Sequence, residues 1–143
     1  MSSESKHGFT LLELLVVITV IAILASLVSP MVFRNIGDAK QTSARAQIEA
    51  IGVALEQYRL DNERYPSSEQ GLVALRRAPD GATAPNWRGP YLRKDVPLDP
   101  WTRPYTYRAP GAVNADAYDL LSLGRDGREG GRDDDADVLS WSQ

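Results

Sequence analysis

The most informative segment of the chain is KHGFTLLELLVVITVIAILASLVSP, which runs from Lys6 to Pro30. From Leu14 to Phe33 the sequence contains no charged residue. About 20 helical residues at 1.5 Å each span roughly 30 Å, which is the thickness of the hydrocarbon core of a bilayer. A buried helix of a soluble protein is rarely this long and this uniformly apolar. The stretch therefore predicts a helix that occupies a membrane at some stage.

Three interpretations fit this segment: a cleaved secretory signal, an ordinary membrane anchor, and a segment that is membrane-embedded first and later packs against copies of itself. The core of a secretory signal is usually about 7–15 residues, and no small-x-small cleavage site follows here. Glu13 bears on the other two interpretations, because a charge in a membrane span usually has a partner. Cleavage before Phe9 would create an α-amino group close in sequence to Glu13. That positive charge would pair with the carboxylate, within one chain or between two.

The composition argues against several classes of function. The chain of 143 residues carries a formal net charge of −3 and shows no basic cluster, so nucleic acid is not predicted as a partner. There is no cysteine, which excludes disulfides, thiolate metal sites and cysteine nucleophiles. The single histidine, His7, precedes the apolar run, which argues against a Ser-His-Asp triad or a histidine-rich zinc site.

Downstream of Phe33 the pattern becomes amphipathic. Four apolar residues recur on one helical face: Ile48, Ile51, Leu55 and Tyr58. The pattern predicts one long helix from near Phe9 to about Glu63, either continuous or interrupted around Pro30 and Gly37. Its apolar stripe needs a partner, so we expect the C-terminal half of the chain to pack on it.

The C-terminal half is rich in proline and glycine and predicts little regular helix beyond a short turn at about Ser68–Arg76. Two segments have strand character, Pro104–Arg108 and Ala117–Leu123. A small antiparallel sheet lying on the helix stripe is the economical arrangement, which makes the predicted fold class α+β. We expect the seam to be filled by aromatic residues: Trp87, Tyr91, Trp101, Tyr105, Tyr107, Tyr118 and Trp141.

The sequence LGRDGREGGRDDDADVLSW, from Leu123 to Trp141, concentrates aspartates in a glycine-rich loop. Bunched carboxylates repel one another unless they are solvated or bridged by a cation. Calcium binds six to eight oxygen ligands in flexible geometry, and glycines allow a loop to turn back on itself. The spacing is not that of an EF-hand. On the residues alone, a solvated acidic loop and a calcium site both stay open.

The sequence GFTLLE resembles the cleavage and methylation motif of type IV pilins and their pseudopilin relatives. The resemblance implies that a prepilin peptidase cuts after Gly8 and methylates Phe9. It also implies that Glu13 supports assembly by neutralising the N-terminus of a neighbouring subunit. Pro30 matches the helix proline of many of these proteins, where local kinking or melting is expected.

Further segments resemble the major pseudopilins of type II secretion systems: YPSSEQGLVAL, WRGPYL, DPWTRPYTY and YDLLSLGRDGREGG. This resemblance covers nearly the whole mature chain and is more specific than the N-terminal motif. It implies a pilin-like α+β fold, in which the second half of a long N-terminal helix packs on a small antiparallel sheet with a C-terminal calcium loop. Many type IV pilins instead carry a C-terminal disulfide loop, and this chain has no cysteine.

The resemblance also implies calcium as the cofactor. The implied ligands are the carbonyl oxygens of Leu123 and Arg128 and the carboxylates of Asp126, Asp135 and Asp137. Asp134 is the alternative to Asp135, because Ala136 stands where compact versions of the loop have aspartate. Without the ion, we expect the loop and the strand after it to loosen.

Four segments follow from the resemblance. They are a leader peptide at 1–8, a transmembrane and filament-core helix at 9–33, the amphipathic half of the helix at 34–65, and an α/β head at 66–143 with the acidic calcium-binding loop at 123–137. The implied location is the inner membrane of a Gram-negative cell, with a single pass and the head in the periplasm.

The implied function is structural and not enzymatic: the major subunit of a pseudopilus that helps export folded proteins across the outer membrane. The implied partners are other copies of the chain, minor pseudopilins, an inner-membrane assembly platform, the prepilin peptidase, the outer-membrane secretin channel and secreted proteins. The alternatives are a type IV pilin of a surface fibre for adhesion or motility, a membrane-anchored hydrolase with aspartate metal ligands, and a membrane-tethered binding module. No histidine accompanies the aspartates, which argues against the hydrolase.

Overall fold

The structure is a computed structural model that describes residues 8–142, without the side chains at 29–31, 33 and 82. The leader peptide predicted at 1–8 therefore lies outside the described residues apart from Gly8. Contacts divide the chain into two units, one that ends at Ile36 and one that begins at Gly37. The regular elements are helix α1 (Leu11–Asn62) and strands β1 (Thr106–Arg108), β2 (Asp119–Ser122) and β3 (Val138–Leu139). Short 3-10 turns lie at Leu72–Leu75, Gly81–Thr83 and Asp133–Asp135.

Helix α1 confirms the long helix that the sequence predicts. It is helical through Pro30 and Gly37, so the interruption considered there is absent from the backbone. Proline removes one helical hydrogen bond, and membrane helices tolerate that loss where other groups satisfy the freed carbonyl. The helix ends at Asn62 because Glu63 adopts a left-handed conformation with a φ of 60°, which stops the helical backbone just before the boundary predicted at 65.

In the unit that ends at Ile36, the apolar part of the helix is exposed among the described residues. The stretch Leu11–Val28 is long and apolar enough to cross a membrane, and none of it is buried within the chain. The hydroxyls of Thr19 and Ser26 donate to the carbonyl oxygens of Leu15 and Ile23, both at 2.7 Å. These polar groups are thus satisfied within the helix, as a lipid environment requires.

In the unit that begins at Gly37, which we call the head, the predicted stripe is buried. Ile51, Leu55 and Tyr58 are at most 1% exposed and belong to one hydrophobic cluster with Leu120 of β2 and Val138 of β3. Most of the predicted aromatic residues pack on or in this cluster: Trp87, Tyr91, Trp101, Tyr105, Tyr107 and Tyr118. The second half of the helix and the sheet therefore share a core, as predicted.

The sheet is antiparallel, with the strand order β1-β2-β3. Strands β1 and β2 lie within the two predicted strand segments. The third strand, β3, pairs Leu139 with Leu121 and Val138 with Ser122. Its two residues were too few to predict as a strand from the sequence. The pairing of β2 with β3 closes the base of the segment 123–137, which we call the acidic loop.

Candidate functional site

The predicted cleavage step lies just before helix α1. Gly8 and Phe9 are exposed and precede regular secondary structure. The helix is capped by Thr10, whose Oγ1 accepts a hydrogen bond of 3.1 Å from the backbone N–H of Glu13. Thr-x-x-Glu at a helix start is a capping-box pattern, a signal present in TLLE that the sequence analysis missed. Glu13 therefore lies in the first turn of the helix, where a negative charge interacts favourably with the helix dipole. Its side chain is exposed.

The acidic loop folds back on itself through glycines with positive φ. Gly124 and Gly131 have φ of 63° and 87°, a left-handed conformation that other residues rarely adopt. The backbone carbonyl of Asp135 approaches both glycines so closely that a β-carbon would not fit. The 3-10 turn Asp133–Asp135 therefore lies close to Gly124, near the start of the loop.

A buried network that the sequence did not reveal supports the base of the loop. Asp99 is 3% exposed, and its Oδ1 accepts hydrogen bonds from the backbone N–H groups of Trp101 and Arg103 at 3.0 and 2.8 Å. Its Oδ2 accepts a hydrogen bond of 2.5 Å from the hydroxyl of Ser122 at the end of β2. Each charge-assisted hydrogen bond to a buried carboxylate is worth about 1.5–3 kcal/mol, so Asp99 fixes the strand end to the preceding turn.

The side chain of Arg103 extends this support into the loop. Its Nη1 and Nη2 donate to the carbonyl oxygens of Gly124 and Arg125 at 2.6 and 2.9 Å. The guanidinium also lies against Gly127, where a β-carbon would come within 2.8 Å of Cζ. Only the conformation of the loop makes these carbonyls converge, so no local sequence pattern could have identified Arg103.

Two of the predicted ligands hold the loop from within. Oδ1 of Asp126 accepts a hydrogen bond of 3.0 Å from the backbone N–H of Arg128. Oδ2 of Asp137 accepts one of 2.8 Å from the N–H of Gly130. Oδ1 of Asp137 is buried and has no hydrogen-bond partner among the described residues. A buried carboxylate oxygen without a partner is costly, and a bound cation would relieve that cost.

The backbone oxygens predicted as ligands also lie in the first part of the loop. The carbonyl of Leu123 accepts one hydrogen bond, of 3.2 Å, from the N–H of Gly127. A carbonyl oxygen has two lone pairs, so this bond leaves acceptor capacity at Leu123. The donor set of the loop is thus made of oxygens alone, which suits a hard cation such as calcium.

The remaining predicted ligand, Asp135, is engaged by an arginine. Nε of Arg125 donates to Oδ1 of Asp135 at 2.8 Å, and Nη2 donates to Oδ2 at 3.2 Å. Nη1 of Arg125 also lies 3.5 Å from Oδ2 of Asp134. Between residues 8 and 142, the acidic side chains form no group of three or more that could hold a metal ion in this arrangement. Asp134 and Asp135 both form ion pairs with Arg125.

The tip of the loop contacts the head's portion of helix α1. The side chain of Gln41 donates a hydrogen bond to the carbonyl of Asp133. The carboxylate of Asp134 packs against Gly37 at a distance that leaves no room for a β-carbon there. The loop is therefore anchored at its tip as well as at its base.

A second carboxylate stabilises the turn before β2. Asp119 is 5% exposed, and its oxygens accept hydrogen bonds from the N–H groups of Ala112, Val113 and Asn114 at 2.6, 2.9 and 3.0 Å. Burial alone would raise the pKa of Asp119, but these hydrogen bonds outweigh burial and hold its pKa below the usual value. Asp119 is thus charged and structural at neutral pH.

Comparison with known proteins identifies the family to which this chain belongs. A family model described as "Type II secretion system (T2SS), protein G" matches residues 31–141, and a model of the prokaryotic N-terminal methylation motif matches residues 5–29. The chain belongs to the type II secretion system protein G family. The predicted resemblance to type II secretion pseudopilins is therefore confirmed.

Individual relatives agree with this assignment. The chain is 47% identical over 142 residues to the type II secretion system core protein G of Pseudomonas aeruginosa, and this match covers 99% of both chains. It is 42% identical over 140 residues to the protein of the same name from Vibrio cholerae, a match that covers 97% of this chain and 94% of the relative. These matches favour the pseudopilin over the type IV pilin of a surface fibre.

A solved structure confirms the pilin-like α+β fold. It is the crystal structure of the major pseudopilin from the type 2 secretion system of enterohaemorrhagic Escherichia coli, with a TM-score of 0.63 and 35% sequence identity. The likeness covers 76% of this chain and 92% of that one.

Proposed function

We propose that this chain polymerises into a pseudopilus as its major structural subunit and helps export folded proteins across the outer membrane, without catalysing a reaction. The observation that carries the proposal is the unburied apolar surface of Leu11–Val28. An apolar surface of this length needs lipid or other protein around it. Before assembly the membrane would supply the lipid, and after assembly the neighbouring helices would supply the protein.

We propose that the chain is a single-pass protein of the inner membrane with its head in the periplasm. Its proposed partners are further copies of itself, minor pseudopilins, the assembly platform of the inner membrane, the secretin channel and the secreted proteins. The relatives support these partners through their name as core proteins of a type II secretion system.

We further propose that a prepilin peptidase cuts between Gly8 and Phe9 and that Phe9 is then methylated. The match to the N-terminal methylation motif supports this processing. The new amino group would meet the carboxylate of Glu13 of a neighbouring subunit. The position of Glu13 in the first helical turn, with an exposed side chain, leaves that carboxylate accessible.

The mass of the mature chain in its native host tests the processing. We expect an N-terminus at Phe9 that carries one additional methyl group. A Gly8→Val variant should remain uncut, whereas Glu13→Gln should still be cut because Glu13 acts in assembly. A native chain that retains Met1 would contradict the proposal.

The acidic loop is proposed to bind calcium. The donors would be the carbonyls of Leu123 and Arg128 and the carboxylates of Asp126, Asp135 and Asp137. The all-oxygen donor set and the unpartnered buried oxygen of Asp137 support this ion. When bound, calcium would neutralise the aspartates and tie the start of the loop to its end. The loop lies directly between β2 and β3, so this tie would stabilise the sheet.

Chelation of calcium tests this part of the proposal. A ligand at 100 times its Kd stabilises a protein by about 2.7 kcal/mol, so EDTA should lower the melting temperature and speed proteolysis within 123–137. Asp137→Asn should abolish most of this calcium effect. Asp116→Asn, at an exposed aspartate outside the loop, is the matched control and should retain it. An unchanged melting temperature after chelation would sink the calcium site.

A further inference from the structure

Arg125 lies among the carboxylates that are proposed to bind calcium. Its guanidinium makes two hydrogen bonds to Asp135, at 2.8 and 3.2 Å, and one ion pair of 3.5 Å to Asp134. The side chains of Asp134 and Asp135 are 26% and 34% exposed, and that of Arg125 is 60% exposed. We propose that Arg125 is an internal counter-cation, which neutralises this end of the loop without metal and competes with calcium for Asp135.

This inference rests on the proposed calcium site. Both oxygens of Asp135 face the guanidinium in a two-point pair, which is the strongest geometry available to arginine and carboxylate. A divalent cation that used either oxygen would sit close to a fixed positive charge. The interaction between two cations is unfavourable, so bound calcium must displace Arg125 or tolerate it.

The pairing explains why the acidic side chains do not converge in this structure. Asp133, Asp134 and Asp135 are consecutive and would repel one another without a counter-charge. Arg125, in the first part of the acidic loop, supplies that positive charge. It engages both oxygens of Asp135, whereas Asp126 and Asp137 accept hydrogen bonds from backbone N–H groups of the loop. Calcium affinity is therefore set in part by how readily the arginine is released.

The loop does not depend on the arginine side chain for its path. The backbone N–H of Arg125 donates to the carbonyl of Asp134 at 3.3 Å, and Arg103 holds the carbonyls of Gly124 and Arg125. Removal of the guanidinium leaves these bonds in place. An Arg125→Ala variant is thus expected to fold and to change the charge at the site alone.

Calcium titration of the full chain in detergent tests the inference. Isothermal titration calorimetry should show that Arg125→Ala binds calcium about three- to tenfold more tightly than the wild type. This range is expected when the two ion pairs of Arg125, to Asp134 and Asp135, no longer compete with the ion. Arg132→Ala is the matched control: it removes the same charge from the same loop, and Arg132 has no ion pair within the described part of the chain. It should change the affinity by less than about twofold.

A second variant separates competition from general electrostatics. If Arg125 competes for Asp135, the gain from Arg125→Ala should largely vanish when Asp135 is also changed to Asn, as in a double-mutant cycle. In EDTA, Arg125→Ala should lower the melting temperature by about 1–5 °C, because Asp134 and Asp135 lose their counter-charge.

The outcomes distinguish this inference from the calcium site itself. No calcium binding by the wild type at about 10 mM, above the Kd of roughly 0.1–1 mM typical of extracellular modules, would overturn both. Calcium binding by the wild type with equal affinity in Arg125→Ala, or an equal gain in Arg132→Ala, would overturn the role of Arg125 alone.

Discussion

The two halves of helix α1 differ in how their apolar surface is covered. In the head, the helix carries one apolar stripe, and the stripe is buried by the sheet and loops of the same chain. From Leu11 to Val28 the helix is predominantly apolar, with Glu13 as its one charged residue, and none of this stretch is buried among the described residues. The head half therefore completes its own fold, whereas the N-terminal half requires lipid or another molecule.

The two halves of the helix present different apolar surfaces and therefore select different partners. A single stripe defines a unique partner, because only one face excludes water. An apolar surface all around the helix defines no single partner, so it suits a bilayer and a bundle of identical helices equally well. A subunit that passes from a membrane to a filament needs such a surface in its N-terminal half.

The largest expected effect comes from separating the two halves. A chain that starts at Gly37 should be a soluble monomer that unfolds cooperatively, because the buried core lies entirely beyond that residue. The full chain should require detergent. Circular dichroism and sedimentation check both expectations. An aggregated or unfolded fragment would show that the head depends on the N-terminal half.

Substitutions on the head half of the helix give the next largest effect. Leu55 is fully buried, so Leu55→Ala should cost about 2–5 kcal/mol of the free energy of unfolding. Leu60 lies on the same helix and is 78% exposed, so Leu60→Ala should change stability by no more than about 0.5 kcal/mol. Urea denaturation of the two variants measures the contrast. Equal losses would mean that the stripe does not face the core.

A smaller effect should come from Asp119 and should depend on pH. Asp119→Asn removes the charge and replaces one acceptor oxygen by an NH2 group that faces backbone N–H donors, so it should cost about 1–3 kcal/mol at pH 7. The pKa of Asp119 is lowered in the folded head, so its contribution is present above the unfolded pKa of about 3.9 and is lost as the pH falls through the folded value. The difference between wild type and variant should therefore narrow in acid.

Thermal melting between about pH 3 and pH 7 measures this dependence. Asp116→Asn serves as the control, since Asp116 is exposed and should show a small difference at every pH. A stability difference for Asp119→Asn that grew on acidification would contradict the assigned hydrogen bonds.

Local patterns in the sequence predicted the helix and two of the three strands: the length of the apolar run, the helical period of the stripe, and β-forming residues flanked by turn residues. The capping role of Thr10 was also visible in the pattern and was missed. The loop is different: Asp99 bonds to Ser122 and Arg125 to Asp135 only because the chain folds back. Such pairings depend on the tertiary path of the loop, so the sequence indicated which oxygen donors the loop contains but not which groups they contact.

The most direct test of the account is the assembly of full-length chains in cells, with filaments released by shearing and viewed by electron microscopy. We expect filaments from the wild type and none from Glu13→Gln, with equal amounts of both proteins processed in the membrane. This result would show that the unburied N-terminal half packs against its copies once its charge is matched. Filaments of equal number and length from Glu13→Gln, or a processed wild type that never assembles, would contradict the account.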